Sequence, residues 1–327
     1  MIIEYKGQVL DTIHYADLTD EECEDIRRDL QRKPSKEDVR KNLKRMANGG
    51  VLHNHITNYY FLDLMYDTKL YHSKWSISDV IECNDLIRHF YAKTLNNKKI
   101  FPDNHSKAKK IETAFRLAGK GVAGKPSNFP IKAVDYILKN YNVNGNYYDP
   151  SCGWGVRLLS ALRNNVNYFG TDPNDKLVDR LFQMALDYKE VNDNDSTVEI
   201  RCMGSEVFIP EYVNKMGLAF TSPPYFYLED YKHGKQSWKE GVSYNDWLDN
   251  YLTRTIINIH KYLIDDGYAI FNINNFEKFD LVGDTKRIFL ENGFEYVETL
   301  VLDNIKRPNS NGGHNDNSEG MMVFKKL

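Results

Sequence analysis

The chain has 327 residues, of which 41% are apolar, 13% aromatic and 27% charged. These proportions exclude global disorder and leave ample apolar material for one large core or two medium ones. With a mean hydropathy of -0.59 and no run near the ~18 apolar residues of a membrane span, a helical membrane protein is excluded as well. The formal net charge of -3 is unevenly spread: residues 1–132 carry 23 Lys+Arg against 18 Asp+Glu, and residues 133–327 carry 20 against 28. Segment 91–132 holds 10 basic and 2 acidic residues, the kind of local excess that can mark a polyanion-binding face.

The opening segment, MIIEYKGQVLDTIHYADLTDEE, lacks a basic stretch followed by an apolar one and is not expected to be a secretion signal. Cys23, Cys83, Cys152 and Cys202 lie far apart with no CxxC pair, as in a reduced, cytoplasmic protein without disulfides or a zinc knuckle. His53 and His55 have no evident third ligand, so no metal site is expected.

In chain order, a helix is predicted to open at Thr19, where Glu22 stands at capping-box spacing. A second helix is predicted over 35–50, capped by Ser35 and stopped by Gly49 and Gly50. An aromatic-rich stretch (Tyr59, Tyr60, Phe61, Tyr66, Tyr71, Trp75) reads as core, and Ser78 to Leu95 reads as one helix with Val80, Ile81, Leu86, Ile87 and Phe90 on a buried face. At 121–130 the Gly/Pro-rich GVAGKPSNFP changes the texture. We therefore expect a mostly helical region over 1–121 and an α/β domain over 122–327.

In that second part, helices are predicted over 131–141, 156–164, 176–189, 244–264 and 280–292. Strands are predicted around Tyr147-Tyr148 and over 167–171, 197–202, 217–221, 268–273, 295–302 and 320–326. Alternation of strand and helix implies a mainly parallel sheet covered on both faces, and the closing pair without a helix implies an antiparallel hairpin. The expected fold is a seven-stranded, Rossmann-like α/β sheet.

Two motifs carry chemistry. Asp149-Pro150-Ser151-Cys152-Gly153-Trp154-Gly155 joins a strand to the helix VRLLSALR, where glycines let a ligand approach the backbone. It matches neither GxxxxGK[ST] nor GxGxxG. The next strand ends in Asp172-Pro173, an acid placed to accept hydrogen bonds from two ribose hydroxyls. The second motif is Thr221-Ser222-Pro223-Pro224-Tyr225. Its consecutive prolines fix the backbone and hold the preceding carbonyl at the sheet edge, so Ser222 and neighbouring carbonyls can accept N–H bonds from an exocyclic amino group while Tyr225 stacks on the ring that bears it.

Together, DPSCGWG (149–155) and TSPPY (221–225) resemble the motifs of the S-adenosylmethionine-dependent DNA amino-methyltransferases, which modify N4 of cytosine or N6 of adenine. The resemblance covers roughly 122–327 and implies a methyltransferase domain there. It implies that Asp149, Pro150, Ser151, Gly153 and Gly155 contact the methionine part of the cofactor, and that GKPSNFP, with Phe129, closes over it. It also implies that Ser222, Pro223, Pro224 and Tyr225 hold the target amino group. Serine in TSPPY looks more like the cytosine-N4 enzymes than the adenine-N6 ones, while Trp154 departs from the small residue commoner in the family. Asp172 and Pro173 are expected at the ribose and Ser205 near the adenine ring, although a turn role suits Ser205 equally.

The expected reaction is direct in-line displacement with no metal and no covalent nucleophile, on a base that is flipped out or unpaired. A ring-carbon methyltransferase would need a Pro-Cys nucleophile, and Cys152 and Cys202 follow Ser and Arg. The expected partner is DNA, held by the basic stretch that includes Lys98, Lys99, Lys107, Lys109, Lys110 and Arg116. The polar, Gly/Asn-rich loop 306–320 and the segment Lys232, His233, Lys235 and Gln236 are further candidates. The alternatives are the same chemistry on RNA or a protein glutamine, or a DNA-binding protein on an inactive methyltransferase scaffold. The abundance of Lys, Asn, Ile and Tyr suits an AT-rich source such as a phage or a restriction-modification system.

Overall fold

The computed structural model describes residues 1–117, 121–301 and 320–327. It begins with an antiparallel hairpin, β1 (Ile2–Tyr5) and β2 (Gln8–Asp11), that turns through Lys6 and Gly7, both at positive φ. Helix α1 (Asp20–Leu30) opens on the expected capping box, with the Thr19 hydroxyl accepting from Glu22 N at 3.1 Å and Glu22 Oε2 accepting from Thr19 N at 2.9 Å. Helix α2 (Lys36–Ala47) is capped by Ser35, and α3 (His53–Asp67) takes up much of the aromatic stretch. The short strand β3 (Lys69–Leu70) follows.

The single helix expected over 78–95 is two, α4 (Ile77–Glu82) and α5 (Asn84–Thr94), separated at an extended Cys83. The break is stabilised by Arg27, whose Nε donates to the Ile81 carbonyl at 2.7 Å and whose Nη2 donates to Asn84 Oδ1 at 2.7 Å. A distant cation thus satisfies a helix-end carbonyl that a continuous helix would have paired internally. Helix α6 (Lys107–Leu117) contains much of the basic stretch.

From α7 (Ile131–Tyr141) the chain alternates as expected: β4 (Asn146–Asp149), α8 (Val156–Arg163), β5 (Asn167–Asp172), α9 (Asp175–Val191), β6 (Val198–Cys202) and β7 (Met216–Thr221). After the two-residue β8 (Glu229–Asp230), which pairs with β3, come α10 (Tyr244–Trp247), a wide π-turn over Leu248–Thr253, and α11 (Arg254–Tyr262). Strand β9 (Leu263–Asn272), α12 (Leu281–Glu291), β10 (Phe294–Val301) and β11 (Gly320–Lys326) complete the chain.

The main sheet has seven strands in the order β10-β11-β9-β7-β4-β5-β6. Strands β4, β5, β6, β7 and β9 are mutually parallel, and β11 runs antiparallel to both β9 and β10. Successive strand residues face opposite sides. Tyr147 meets the rings of Tyr168 and Phe220, whereas Tyr148 meets Tyr212 and Tyr262 on the other side. Order reverses at β4: the chain steps outward to β5 and β6, then returns to place β7 on the opposite flank of β4. In an open α/β sheet, ligands bind beyond the strand carboxyl ends at such a reversal.

The residues pack as two units that are discontinuous in sequence. One comprises 1–34, 61–127 and 229–232; the other comprises 35–60, 128–228 and 233–327. A single cut at 121/122 therefore differs from the observed division. Residues 35–60 pack with the sheet unit because Arg40 pairs with Glu190 at 2.7 Å, Arg163 donates to the Gly50 carbonyl at 2.8 Å, and the Tyr60 hydroxyl donates to Asp187 at 2.5 Å. The first unit is mostly helical, with a core that includes Cys23, Ile26, Trp75, Ile87, Phe90, Ile111 and Phe115. No described helix is long and apolar enough to cross a membrane.

Candidate active site

The site is built from the carboxyl end of β4. Asp149 is fully buried, and its Oδ2 accepts from Arg157 Nε and from the Tyr168 hydroxyl, each at 2.8 Å. Its Oδ1 accepts from Ser151 N at 3.3 Å, and Arg157 Nη2 also donates to the Ser151 carbonyl. Burial pushes the Tyr168 phenol far above its ordinary value, so it acts there as a neutral donor. Asp149 thus turns inward, where it holds the loop in shape.

The rest of the loop is tied to β5. Cys152 N donates to the Thr171 carbonyl at 3.2 Å, and the Thr171 hydroxyl donates to the Pro150 carbonyl at 3.2 Å. Gly153 and Gly155 have φ of 55° and 76°, the left-handed region that L side chains avoid. A Cβ on Gly155 would also overlap Met184 Cε and come within 2.9 Å of Leu181 Cδ2. Helix α8 begins directly afterwards with no side-chain cap, so among the described residues its first-turn N–H groups have no side-chain acceptor at the end where anions are favoured. Cys152 is buried and its thiol is pushed well up, which makes it a poor nucleophile.

Asp172 stands at the end of β5, half-buried. Its Oδ2 accepts from Gly153 N at 3.4 Å and its Oδ1 from Asn174 N at 3.1 Å. Desolvation raises its carboxyl from 3.8 to about 6, against the lowering effect of these two amides. Each oxygen has received one backbone donor here, and a carboxylate has about four acceptor positions. Pro173, also half-buried, borders the backbone of the segment around Gly234, where a Cβ would lie 2.8 Å from Asn174 Cα. His233 Nδ1 lies 3.5 Å from Lys176 Nζ in the same region.

The wall opposite the loop comes from the π-turn and α11. Tyr251 lies within the wide turn, and its hydroxyl is 3.3 Å from Ser151 Oγ. Ser205 is buried, with Oγ 2.9 Å from Thr255 Oγ1 and its carbonyl accepting from Asn258 Nδ2 at 3.0 Å. Its hydroxyl is engaged by this helix. Phe129 is half-buried and meets Phe220 edge-on, with ring centroids 5.5 Å apart.

The Ser-Pro-Pro-Tyr segment leaves the end of β7, which pairs with β4 through Tyr147↔Leu218 and Tyr148↔Ala219. The two motif loops therefore start from neighbouring parallel strands at the same sheet edge, with Asp172 one strand further along. Ser222, Pro224 and Tyr225 are half-buried and Pro223 is buried. Ser222 Oγ accepts from Asn272 Nδ2 at 3.3 Å, and the Tyr225 hydroxyl donates to the Asn272 carbonyl at 3.1 Å. Phe226 follows at φ 55°, a strained conformation for a bulky residue. It is held by ring contacts with Tyr227, Trp238, Tyr244, Trp247 and Phe279.

The basic stretch is less open than its charge count suggests. Lys98 pairs with Asp103 at 2.9 Å, Lys109 with Glu112 at 2.7 Å, and Lys107 with Glu22. Lys110 is only 8% exposed, so the expectation that it contacts a polyanion is corrected: its place on α6 turns it into the helical unit. Lys99 and Arg116 are exposed. The loop 306–320 lies outside the described residues except for Gly320. Among the described residues no group of three or more His, Cys, Asp or Glu is placed to hold a metal ion, and His55 instead meets Asn42 at 3.3 Å.

Sequence reasoning missed Arg157, Tyr168, Tyr251 and Asn272. Arg157 and Asn272 carried a signal, a cation in an apolar helix and a polar residue ending an apolar strand. Tyr251 carried none, because the π-turn breaks the 3.6-residue period that would have assigned its face.

No protein-family model and no curated protein matches the sequence. Solved structures that resemble the fold include a geranyl diphosphate C-methyltransferase from Streptomyces coelicolor A3(2), determined with S-adenosyl-L-homocysteine (10% identity, 71% of this chain and 88% of that one, TM-score 0.45). A TehB-like SAM-dependent methyltransferase from Corynebacterium glutamicum shows 16% identity over 59% of this chain and 87% of that one, with a TM-score of 0.41. The magnesium protoporphyrin IX methyltransferase of Synechocystis PCC 6803, with bound SAM, shows 11% identity over 70% and 89%, with a TM-score of 0.40. At these values the likeness carries no functional conclusion for this chain.

Proposed function

We propose that this chain transfers a methyl group from S-adenosylmethionine to an exocyclic amino group of a DNA base, N4 of cytosine ahead of N6 of adenine. One observation carries the reading: the glycine loop and the Ser-Pro-Pro-Tyr corner start from adjacent parallel strands where strand order reverses. The residues present fit the cofactor. Asp172 keeps acceptor capacity for ribose hydroxyls, Gly153 and Gly155 supply the left-handed turns of the loop, and the uncapped start of α8 offers N–H groups to a carboxylate-bearing tail. Asp149, Pro150 and Ser151 shape that cradle, Pro173 and Ser205 border its nucleoside side, and Phe129 adds an apolar edge.

When bound, the cofactor supplies an electrophilic methyl on a sulfonium, whose displacement by an amino nitrogen releases a neutral thioether and one proton. The task of the chain is to make that nitrogen nucleophilic, since its lone pair is delocalised into the ring. Ser222 and a carbonyl of the Ser-Pro-Pro segment accept the amino protons and favour a pyramidal nitrogen, Pro223 and Pro224 keep the acceptors rigid, and Tyr225 borders the base. A base in a duplex must leave the stack to reach this corner. In the helical unit we assign nucleic-acid contact to Lys99 and Arg116. Lys98, Lys107 and Lys109 join only when their carboxylates release them.

That internal pairing, which weakens any polyanion contact, favours one second reading, the same chemistry on a protein glutamine. A single assay separates the two: incubate the protein with tritiated cofactor and DNA, RNA or peptide, then digest and identify the labelled product. N4-methylcytosine in DNA is expected. N6-methyladenine changes only the base, label in RNA or glutamine moves the substrate class, and transfer to none of them overturns the reading.

A further inference from the structure

Asn272 ends β9 one residue beyond Phe271, the register partner of Thr221, and so lies beside the Ser-Pro-Pro-Tyr corner. It is 3% exposed. Its Nδ2 reaches both Ser222 Oγ and the Tyr225 hydroxyl oxygen at 3.3 Å, while its backbone carbonyl accepts from that same hydroxyl at 3.1 Å. The orientation of an amide is fixed by its partners. Because the only Tyr225 hydroxyl proton goes to the Asn272 carbonyl, the phenolic oxygen can only accept from the side chain. A flipped amide would set two acceptors against each other. Nδ2 therefore faces the corner, and Oδ1 is left buried with no hydrogen-bond partner among the described residues.

A polar atom buried without a partner is costly for a residue that serves only packing. The donor side of the same amide has a consequence for Ser222. An N–H from Asn272 occupies one lone pair of Ser222 Oγ, so the serine proton cannot point at Asn272. It is directed elsewhere, and the other lone pair stays available to an incoming N–H. We propose, resting on the methyl-transfer reading above, that Asn272 is a positioning residue for the reaction. It locks Ser222 and Tyr225 into one arrangement and sets the direction of the Ser222 proton.

The test compares the wild-type protein with Asn272→Asp and Asn272→Ala at saturating cofactor, on whichever substrate accepts label. An aspartate is nearly isosteric and, when protonated, offers one O–H donor in place of the amide's two N–H donors; ionised, it offers acceptors only. Asn272→Asp should thus lose kcat at neutral pH on the order of 10²-fold. The variant-to-wild-type ratio should recover as pH falls, while KM and cofactor affinity stay within about twofold. Asn272→Ala should lose kcat at every pH. A ratio that does not change with pH, or an Asn272→Ala protein with wild-type kcat, overturns the inference and leaves the methyl-transfer reading standing. A wild-type protein that labels no substrate overturns the reading, and the inference falls with it. Unchanged cofactor affinity certifies that each variant is folded.

Discussion

Arg157 donates its Nε–H to Oδ2 of Asp149 across 2.8 Å, with the two side chains 7% and 0% exposed. The pair lies under the glycine loop, and Tyr168 and Ser151 N complete the shell around the carboxylate. A motif aspartate that would be assigned to the cofactor from its sequence alone is thus fully engaged inside the protein.

The first expected outcome concerns that pair. Asp149→Ala leaves a buried guanidinium without its counter-charge, and breaking a buried pair from one side costs about 3–5 kcal/mol. Replacing both residues with apolar ones of similar volume should cost much less, because no uncompensated charge remains. Urea unfolding of the two proteins checks this. Equal midpoints would show that the ion pair does not organise the loop.

Asp172 sets a pH dependence. Its carboxyl is raised in the folded chain to about 6 from 3.8, so the folded state holds the proton more tightly than the unfolded one. The sign follows: the contribution of Asp172 to stability is full below about pH 4, declines as pH rises to about 6, and stays low above it. Asp172→Asn should therefore raise the urea midpoint of the ligand-free protein at pH 7. Cofactor hydroxyls prefer the ionised acceptor, so wild-type affinity should weaken as pH falls through about 6, and the asparagine variant should show a weaker and flatter profile. Calorimetric titration between pH 5 and 8 measures both. Ser222→Ala should do the opposite, lowering turnover while affinity for the cofactor stays near wild type.

Much of this site was legible in the sequence, because tight turns and strand ends are written in local chemistry. Gly153 and Gly155 stand where the backbone is left-handed, Asp172 ends its strand, and the Thr19 capping box opens its helix as spaced. What was not legible is set by contacts distant in sequence. Arg27 splits the helix expected over 78–95 by capping Ile81, 54 residues away. The π-turn sends Tyr251 to Ser151, 100 residues away, and Tyr251 has no local signature. Charge counting is incomplete for the same reason: the excess in 91–132 takes no account of Glu22, which pairs with Lys107 from 85 residues upstream.

Phe226 yields an inverted substitution order. Removing its ring from the aromatic cluster should cost about 3–5 kcal/mol. At φ 55°, however, alanine keeps a Cβ in a strained conformation that glycine adopts freely. Phe226→Gly should therefore be the more stable of the two variants, by roughly 0.5–1 kcal/mol, whereas glycine is ordinarily the worse choice. Chemical denaturation of both variants decides it. A more stable alanine variant would mean that the backbone relaxes once the ring is gone.

The basic stretch separates into residues that act on binding and one that acts on folding. Lys99 and Arg116 are exposed, so Lys99→Glu and Arg116→Glu should weaken nucleic-acid binding about equally for every sequence. Each should also reduce the slope of log affinity against log salt by about 1 or slightly more, with no change in the unfolding midpoint. Lys110→Glu should do the reverse, because it forces a carboxylate into a buried position on α6 and so lowers stability. Fluorescence anisotropy with a labelled duplex at several salt concentrations, beside urea unfolding, measures both effects. If Lys99→Glu and Arg116→Glu leave the salt slope untouched, the nucleic acid does not contact this helical unit, and any binding must come from the sheet unit alone.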